Sequence, residues 1–228
     1  MEAIILAGGF GTRLRQLVSD VPKPMAPIAG RPFLEILLHS LAQKGFSRIV
    51  LSLGFMADKI SNYFGSHFSG IDLVYSVEGM PLGTGGGVRL AMEHVTEDHV
   101  FIFNGDTFLD LEVGEVEQHW TTHQHPMIVG REVANAERYG RLLVADGAVS
   151  GFSEKGSAGP GLINAGCYVL GRQHLNDYPI GAAFSLETDY LAHAVQMRRF
   201  DVFVTRAQFI DIGVPEDFLR AQSELALH

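Results

Sequence analysis

Short apolar runs alternate with stretches of helical apolar spacing along the first half of the chain. The runs that predict buried strands cover residues 3–6, 48–53, 71–75 and 99–103. The stretches that predict helices cover residues 33–43, 57–64 and 88–94. Strands that alternate with helices pair in parallel and are covered on both faces. The pattern therefore predicts an α/β fold with a doubly wound, mostly parallel, Rossmann-like sheet.

The pattern changes after residue 125, where the apolar runs become shorter and are interrupted by glycines. They predict strands at residues 127–129, 141–144, 149–152, 163–169, 202–205 and 208–210, with helices at 186–197 and 215–226. We expect these elements to form a smaller, mixed and partly antiparallel region that provides the second wall of a cleft. No shift of composition marks a linker, so the prediction is one domain over residues 1–228.

A chain of 228 residues with 46% hydrophobic content is long enough to bury a layered core without disulfides. Its single cysteine, Cys167, lies within an apolar run, which predicts a buried, inert thiol and suits a reducing compartment. The apolar start of the chain, residues 1–7, is too short for a signal peptide or a membrane span. We therefore expect a cytoplasmic protein with no membrane partner.

The net charge of −9 argues against nucleic acid and anionic membranes as partners, because both select basic surfaces. The first 31 residues differ from the rest of the chain, since four basic residues there outnumber two acidic ones. This local excess predicts a site for a small anionic ligand on an otherwise acidic protein. A homo-oligomer is left open by the sequence.

A glycine-rich segment with an arginine follows the first predicted strand. It runs Leu6-Ala7-Gly8-Gly9-Phe10-Gly11-Thr12-Arg13-Leu14, and Lys23-Pro24 comes soon after it. Glycines allow backbone N–H groups to surround an anionic oxygen, and Arg13 and Lys23 supply positive charge. The segment lacks the Gly-Lys-Ser/Thr of a P-loop, and Leu14 replaces the third glycine of a dinucleotide fingerprint. It predicts a different kind of site for nucleotide phosphates.

Two aspartates lie at the ends of predicted strands. Asp106 follows Asn104-Gly105, and Asp211 precedes Ile212-Gly213. Open α/β sheets bind ligands outside the carboxyl ends of their strands, so we expect both aspartates to approach the glycine-rich segment. Mg²⁺ prefers a few carboxylate oxygens together with phosphates and water, which makes Asp106 and Asp211 candidate metal ligands. The alternative for each is a turn residue or a helix cap.

Seven motifs that span nearly the whole chain resemble those of the sugar-1-phosphate nucleotidyltransferases, in the same order. They are residues 6–14, Lys23-Pro24-Met25, Pro81-Leu82-Gly83-Thr84-Gly85, Asn104-Gly105-Asp106, Glu154-Lys155, Asn164-Ala165-Gly166 and Asp211-Ile212-Gly213. The first two are the most specific. The resemblance implies a doubly wound α/β enzyme in which a sugar 1-phosphate attacks the α-phosphorus of a nucleoside triphosphate and pyrophosphate leaves.

The resemblance also implies roles for particular residues. Arg13 and Lys23 would hold the triphosphate and stabilise the departing pyrophosphate. Asp106 and Asp211 would bind Mg²⁺, and Lys155 would bind the phosphate of the sugar. The implied nucleotide-binding residues are Leu6, Ala7, Gly8, Gly9, Gly11, Thr12, Arg13, Lys23, Glu78, Pro81, Gly83, Thr84, Gly105 and Asp106.

Glu78 predicts which nucleotide is used. Family members that use uridine or thymidine triphosphate commonly carry a glutamine before the Pro-Leu-Gly-Thr-Gly motif, where this chain has Glu78. Guanine presents two adjacent donors, N1–H and the exocyclic amine, that an ionised carboxylate accepts together. Uracil presents one donor between two carbonyl oxygens, which a carboxylate repels. Glu78 therefore predicts GTP, and the alternative is a solvated surface glutamate.

The surroundings of Glu78 also resemble the guanylyltransferase branch of the family. Within that branch, the compact length and the stretch Phe184-Ser185-Leu186-Glu187 are most similar to bacterial D-glycero-α-D-manno-heptose 1-phosphate guanylyltransferases. Those enzymes make GDP-heptose for capsule or surface glycans. Mannose 1-phosphate is the alternative sugar substrate, and a non-catalytic GDP-sugar sensor is the alternative function. The presence of Lys23, Asp106 and Asp211 favours catalysis over sensing.

The resemblance divides the domain into a nucleotide-binding part, roughly residues 1–125, and a sugar-binding part, roughly residues 126–228. Candidates for contacts with the sugar hydroxyls are Gly140, Glu154, Asn164 and Glu187. For Glu187 the alternative is electrostatic complementation of the helix that follows it.

Three histidines near Trp120 offer a separate hypothesis. His119 and His123 have the i, i+4 spacing of a zinc-binding pair, and His125 is close by. No carboxylate or cysteine in the nearby sequence completes an evident site. We therefore favour an exposed histidine cluster over a zinc site.

Overall fold

The computed structural model describes residues 1–9, 21–153, 156 and 158–228. The strands are β1 (Glu2–Leu6), β2 (Pro27–Ile28), β3 (Arg31–Pro32), β4 (Arg48–Leu53), β5 (His67–Phe68), β6 (Ile71–Val77), β7 (His99–Asn104), β8 (Thr107–Leu109), β9 (Met127–Val133), β10 (Arg141–Ala145), β11 (Ala148–Ser153), β12 (Gly161–Gly171), β13 (Asp201–Thr205) and β14 (Phe209–Asp211). The α-helices are α1 (Phe33–Gln43), α2 (Ala57–Phe64), α3 (Gly83–Ala91), α4 (Val113–His123), α5 (Ala192–Met197) and α6 (Pro215–Glu224). Each strand and helix predicted from the sequence is present, with some bounds shifted.

Ten of the described strands form one sheet, in the order β10-β11-β13-β9-β12-β7-β1-β4-β6-β5. Its centre is parallel, because β1 pairs in parallel with β7 and β4, and β4 pairs in parallel with β6. Leu6 at the end of β1 lies opposite Ser52 of β4 and Asn104 of β7. The carboxyl ends of these strands therefore meet at one edge of the sheet, where open α/β sheets bind their ligands.

Hydrophobic cores cover both faces of the sheet. Ile5 packs in a core that includes Leu37 of α1, whereas its neighbour Ile4 packs in a second core that includes Val88 of α3. Adjacent strand residues point to opposite faces, so both faces of β1 are buried. This arrangement confirms the predicted doubly wound α/β class. Within the described part of the chain, none of the helices has the length and hydrophobicity that a membrane span requires.

The strands after residue 125 extend the central sheet, and the expected mixed, partly antiparallel region is therefore continuous with it. β12 pairs antiparallel with both β7 and β9, and β9 pairs in parallel with β13. Residues 167–171 of β12 lie beside β7, while residues 161–164 pair with β9 beyond the end of β7. The first half of β12 therefore projects past the ligand-binding edge of the sheet. Cys167 is buried, and burial raises the pKa of its thiol.

The start of α3 differs from the prediction, which placed its glycines in a preceding loop. The backbone N–H of Gly85 donates to the Phe184 carbonyl oxygen over 3.0 Å, and a Cβ at Gly85 would lie 2.2 Å from the Phe184 ring. Glycine therefore allows the first turn of α3 to pack directly against this segment. That contact outweighs the low helix propensity of glycine. The predicted helix after Phe184 is also altered, since a π-helical turn, Leu186–Leu191, precedes α5.

A two-stranded sheet that the sequence did not predict joins distant parts of the chain. β8 pairs antiparallel with β14, and Thr107 lies opposite Asp211. Phe108 and Ile210 from these strands pack in a third hydrophobic core together with residues of α1 and α6. Since Asp106 directly precedes Thr107, the pairing brings Asp106 and Asp211 to neighbouring positions.

Two of the three histidines near Trp120, His119 and His125, contact a buried aspartate. His119 Nε2 and His125 Nδ1 lie 2.8 and 3.1 Å from Oδ2 of Asp201, and Arg199 Nε lies 2.5 Å from its Oδ1. Burial would raise the pKa of Asp201, but hydrogen bonds with these three side chains lower it overall. The described residues contain no group of three or more His, Cys, Asp or Glu side chains that could hold a metal ion. We interpret the cluster as a structural contact between α4 and β13.

We expect Asp201→Asn to lower the free energy of unfolding by about 2 kcal/mol at pH 7, since three partners lose a charged acceptor. The midpoint of thermal unfolding, followed by circular dichroism, should fall by roughly 4–8 °C. Because the folded-state pKa is lowered, the carboxylate stabilises the fold above the ordinary carboxyl pKa. That stabilisation disappears as the pH falls through the folded-state value, so the two proteins should converge in acid.

The matched control is Asp72→Asn, which removes a carboxylate 2.9 Å from His67 on the exposed surface. We expect a change of less than about 0.5 kcal/mol for this control, since exposed ion pairs contribute little. Equal midpoints for Asp201→Asn and the unmodified protein at pH 7 would contradict a stabilising role for the cluster.

Candidate active site

A cavity of about 300 Å³ lies at the carboxyl ends of the central parallel strands. It is lined by Leu6, Ala7, Gly8, Gly9, Lys23, Pro24, Ser52, Glu78, Pro81, Gly83, Thr84, Asn104, Gly105 and Asp106. Every implied nucleotide-binding residue within the described part of the chain is in this lining. The predicted site residues that lie outside the described residues are Gly11, Thr12, Arg13, Glu154 and Lys155.

Glu78 directly follows β6, and one of its two carboxylate oxygens accepts a hydrogen bond from the protein. Its backbone N–H donates to the Leu53 carbonyl oxygen over 2.8 Å, which extends the pairing of β6 with β4. Its Oε2 accepts a hydrogen bond from the Leu82 backbone N–H over 2.9 Å. Burial raises the pKa of Glu78, and the Leu82 hydrogen bond partly offsets this effect. Among the described residues no donor reaches Oε1, so this oxygen can accept from a ligand.

Ser52 stands beside Glu78 in the cavity wall. A Cβ at Gly87 would lie 2.8 Å from Glu78 Oε1 and 2.9 Å from Ser52 Oγ. Both polar groups therefore contact α3 at a position where any larger residue would displace them. A carboxylate oxygen beside a hydroxyl can bind two neighbouring polar groups of a nucleobase.

Lys23 and Asp106 form an ion pair in the same cavity. Lys23 begins a short 3₁₀ helix, Lys23–Met25, in which Pro24 and Met25 are buried and fix the backbone. Its Nζ donates to Asp106 Oδ2, and Thr107 Oγ1 donates to Asp106 Oδ1 over 3.3 Å. The exposed fractions of the Lys23 and Asp106 side chains are 15% and 35%, so a ligand in the cavity can reach both.

Asp211 lies next to this pair. The Ile212 backbone N–H donates to the Asp106 carbonyl oxygen over 2.9 Å, and the Gly213 backbone N–H donates to Asp211 Oδ1 over 2.7 Å. A Cβ at Gly213 would lie 2.7 Å from both Lys23 Nζ and Asp211 Oδ1, so these two atoms are neighbours. Burial and the charge of Asp106 raise the pKa of Asp211, while Gly213 and Lys23 lower it.

The two aspartates have the donor chemistry of a magnesium site. Both offer carboxylate oxygens, and the charge of Asp106 adds to the effect of burial in raising the pKa of Asp211. A divalent cation between them would relieve the repulsion between the two charges. Mg²⁺ commonly uses one or two protein carboxylates and takes its other ligands from phosphates and water. The residues present therefore fit this ion.

The candidate sugar contacts differ in their relation to the cavity. Glu187 does not line the cavity itself, but its Oε2 accepts a hydrogen bond over 2.8 Å from Oγ1 of Thr84, which does. This contact gives Glu187 a specific partner beyond the helix dipole. Asn164 lies in the projecting half of β12, and its Nδ2 donates to Tyr168 Oη over 2.8 Å. Gly140 contacts the Ser153 backbone, and neither Gly140 nor Asn164 is part of the cavity lining.

Sequence reasoning missed three polar groups near the cavity. Ser52 and Asn104 end buried strands that flank β1, and their position opposite Leu6 was the available signal. Tyr168 lies within a predicted strand, where the sequence alone predicts only that its ring packs in the core. Only the fold shows that its hydroxyl lies 3.2 Å from Glu187 Oε1.

Known proteins match the chain over almost its full length. The nucleotidyl transferase family model covers residues 2–227. The D-glycero-alpha-D-manno-heptose 1-phosphate guanylyltransferase of Aneurinibacillus thermoaerophilus is 39% identical over 99% of this chain and 98% of its own. The mannose-1-phosphate guanylyltransferase of Mycobacterium tuberculosis is 31% identical, and the match covers 99% of this chain but 64% of that protein.

A solved structure gives the same result for the fold. The crystal structure of HddC from Yersinia pseudotuberculosis complexed with GMP-PN superposes with a TM-score of 0.88 at 38% identity. The match covers 98% of each chain. The shared fold, the shared length and the family model agree, and the chain belongs to the nucleotidyl transferase family.

Proposed function

We propose that the protein is a sugar-1-phosphate guanylyltransferase that makes GDP-D-glycero-α-D-manno-heptose and pyrophosphate. Its substrates would be GTP and D-glycero-α-D-manno-heptose 1-phosphate, and the product would supply capsule or surface glycans. The observation that carries the proposal is that Glu78, Lys23 and Asp106 line one cavity at the carboxyl ends of the parallel strands. A group suited to guanine and groups suited to phosphate chemistry therefore share one site.

The reaction is an in-line attack of the sugar phosphate oxygen on the α-phosphorus of GTP. Such transfers depend mainly on alignment and on charge neutralisation, so no nucleophilic side chain is needed. Lys23, together with Arg13, would hold the triphosphate and neutralise the pyrophosphate as it leaves. Lys23 is paired with Asp106, which keeps its ammonium group at the cavity.

Asp106 and Asp211 would hold Mg²⁺. When bound, the ion neutralises phosphate charge and orients the reacting groups. The neighbouring positions of the two carboxylates, created by the pairing of β8 with β14, support this assignment. Lys23 offsets part of their negative charge before any substrate binds.

Guanine recognition is assigned to Glu78. Its Oε2 is held by the Leu82 N–H, and the remaining lone pairs on both oxygens can accept the guanine N1–H and amine donors. The raised pKa of Glu78 indicates that burial opposes its ionised form. Bound guanine donors would favour that form, so selectivity for GTP and ionisation of Glu78 should support each other.

The sugar-binding part is assigned to roughly residues 126–228. Within it, Lys155 would bind the phosphate group of the sugar 1-phosphate. Gly140, Glu154, Asn164 and Glu187 are the proposed contacts for sugar hydroxyls. We propose heptose 1-phosphate over mannose 1-phosphate because the Aneurinibacillus heptose enzyme is 39% identical to this chain, compared with 31% for the Mycobacterium mannose enzyme. The two sugars differ only at C6, so discrimination would depend on a few contacts.

The experiment that tests this function is pyrophosphate release from GTP with each sugar 1-phosphate in the presence of Mg²⁺. Release with heptose 1-phosphate that stops on chelation of the metal is the expected result. Release with no sugar phosphate at all, or none with either sugar, would contradict the proposed reaction.

A further inference from the structure

Glu187 connects two parts of the molecule that are distant in sequence. Its Oε2 accepts hydrogen bonds from Thr84 Oγ1 over 2.8 Å and from Ser185 Oγ over 3.2 Å. Its Oε1 accepts a hydrogen bond from Tyr168 Oη over 3.2 Å. Thr84 Oγ1 in turn accepts from the Leu186 backbone N–H over 2.8 Å. One carboxylate therefore joins the cavity wall to β12.

Tyr168 is the central member of this network. It is fully buried in β12, and its hydroxyl accepts from Asn164 Nδ2 over 2.8 Å while it donates to Glu187. Burial, followed by the charge of Glu187, raises the pKa of Tyr168, so the hydroxyl keeps the proton that it donates. The side-chain amide of Asn164 is also fixed at its oxygen, which accepts from the Gly166 backbone N–H over 3.0 Å.

The backbone of β12 between Asn164 and Tyr168 is irregular and requires a glycine. The pairing of β12 with β9 shifts register between Asn164 and Tyr168, and Gly166 has a φ of +69°. A Cβ at Gly166 would lie 2.5 Å from Asn104 Nδ2, so only glycine fits between the strands. A regular strand would place Asn164 and Tyr168, four residues apart, on the same face but about 13 Å from each other along the strand. The bulge shortens this separation, and the two side chains form a direct hydrogen bond.

We propose that Tyr168 is a positioning residue for the sugar ring of the sugar 1-phosphate substrate. Its hydroxyl holds the Asn164 amide and the Glu187 carboxylate in one arrangement, and Glu187 extends that arrangement to Thr84 in the nucleotide cavity. The inference rests on the proposed function, since Asn164 and Glu187 are the residues proposed to contact the sugar. The new element is that Asn164 and Glu187 are held in position by Tyr168, a buried side chain that does not itself contact the ligand.

The test compares Tyr168→Phe with Tyr190→Phe. Each substitution removes one buried hydroxyl, but Tyr190 Oη has no hydrogen-bond partner among the described residues. Tyr190 also lies in the π-helical turn that carries Glu187, so it is a matched control. For Tyr168→Phe we expect the KM for the sugar 1-phosphate to rise about tenfold, with the KM for GTP changed less than about twofold. Tyr190→Phe should leave both KM values unchanged.

A merely structural role would give a different result. If Tyr168→Phe raised both KM values equally, or left the KM for the sugar phosphate unchanged, the positioning role would be wrong. Should Tyr168→Phe prevent folding, Thr84→Val removes a second of the three hydroxyls that donate to Glu187 in the same network. An unchanged sugar KM in that variant would overturn the proposed link between the two binding parts.

The proposed substrate and the positioning role can fail separately. The unmodified protein is measured first with both sugar 1-phosphates and with GTP. If it uses mannose 1-phosphate, the heptose assignment fails, and the same variants are compared with mannose 1-phosphate. The selective rise in the KM for the accepted sugar would still support the role of Tyr168, and its absence would refute it.

Discussion

Asp106→Asn should reduce kcat about 10³-fold, while the affinity for GTP changes little. The amide keeps the shape of the side chain but loses the charge that Lys23 and Mg²⁺ require. Metal-ion stabilisation of transition-state charge contributes several kcal/mol, which corresponds to a loss of this size. The glycine-rich backbone and Glu78 remain in place, so GTP should still bind. Steady-state pyrophosphate release gives kcat, and isothermal titration gives the affinity for GTP.

Asp110→Asn is the control for this experiment. Asp110 lies a few residues away and pairs with Lys44 over 2.7 Å, but it is 48% exposed and does not line the cavity. We expect kcat for this variant to equal that of the unmodified protein. Near-normal turnover of Asp106→Asn at saturating Mg²⁺ would show that the metal is not held by this carboxylate.

Glu78→Gln should lower the preference for GTP over UTP by about 10²-fold in kcat/KM. A hydrogen bond to a charged acceptor contributes roughly 1.5–3 kcal/mol, and the carboxylate would accept two donors from guanine. The amide of glutamine can accept one donor and presents its own N–H₂ group to the second. Uracil gains from the change, because its carbonyl oxygens no longer face a negative charge.

The control is Glu115→Gln, an exposed glutamate in the first turn of α4. Competition between GTP and UTP in one reaction measures the preference directly for each protein. We expect the control to keep the GTP preference of the unmodified protein. An unchanged ratio for Glu78→Gln would mean that the base is selected by other groups, for which Ser52 in the same cavity lining is a candidate.

The sequence was sufficient for the fold class and for bringing the described candidate nucleotide-binding residues to one cavity. Buried parallel strands have continuous apolar runs, and their carboxyl ends meet wherever the strands are adjacent. The motifs around Gly8, Gly83 and Asp106 therefore had to converge once β1, β6 and β7 were identified. The hydrophobic pattern and the order of the motifs were therefore enough to predict that these three motifs lie close together.

Other features depend on contacts that local pattern does not contain. Gly83 and Gly85 of α3 pack closely against Phe184, about one hundred residues away in the sequence. The two aspartates meet through a pairing of short strands, β8 and β14, which leaves almost no periodic signal in the sequence. The role of the Tyr168 hydroxyl depends on a bulge at Gly166, since in a regular strand Asn164 and Tyr168 would be too far apart to form their hydrogen bond.

The most direct test of the proposed function is Mg²⁺-dependent pyrophosphate release with GTP, comparing D-glycero-α-D-manno-heptose 1-phosphate with mannose 1-phosphate at equal concentration. The higher sequence identity with a heptose enzyme than with a mannose enzyme predicts a higher kcat/KM for the heptose phosphate. Equal or faster turnover of mannose 1-phosphate would contradict the heptose assignment, and no release with either sugar would contradict guanylyl transfer itself.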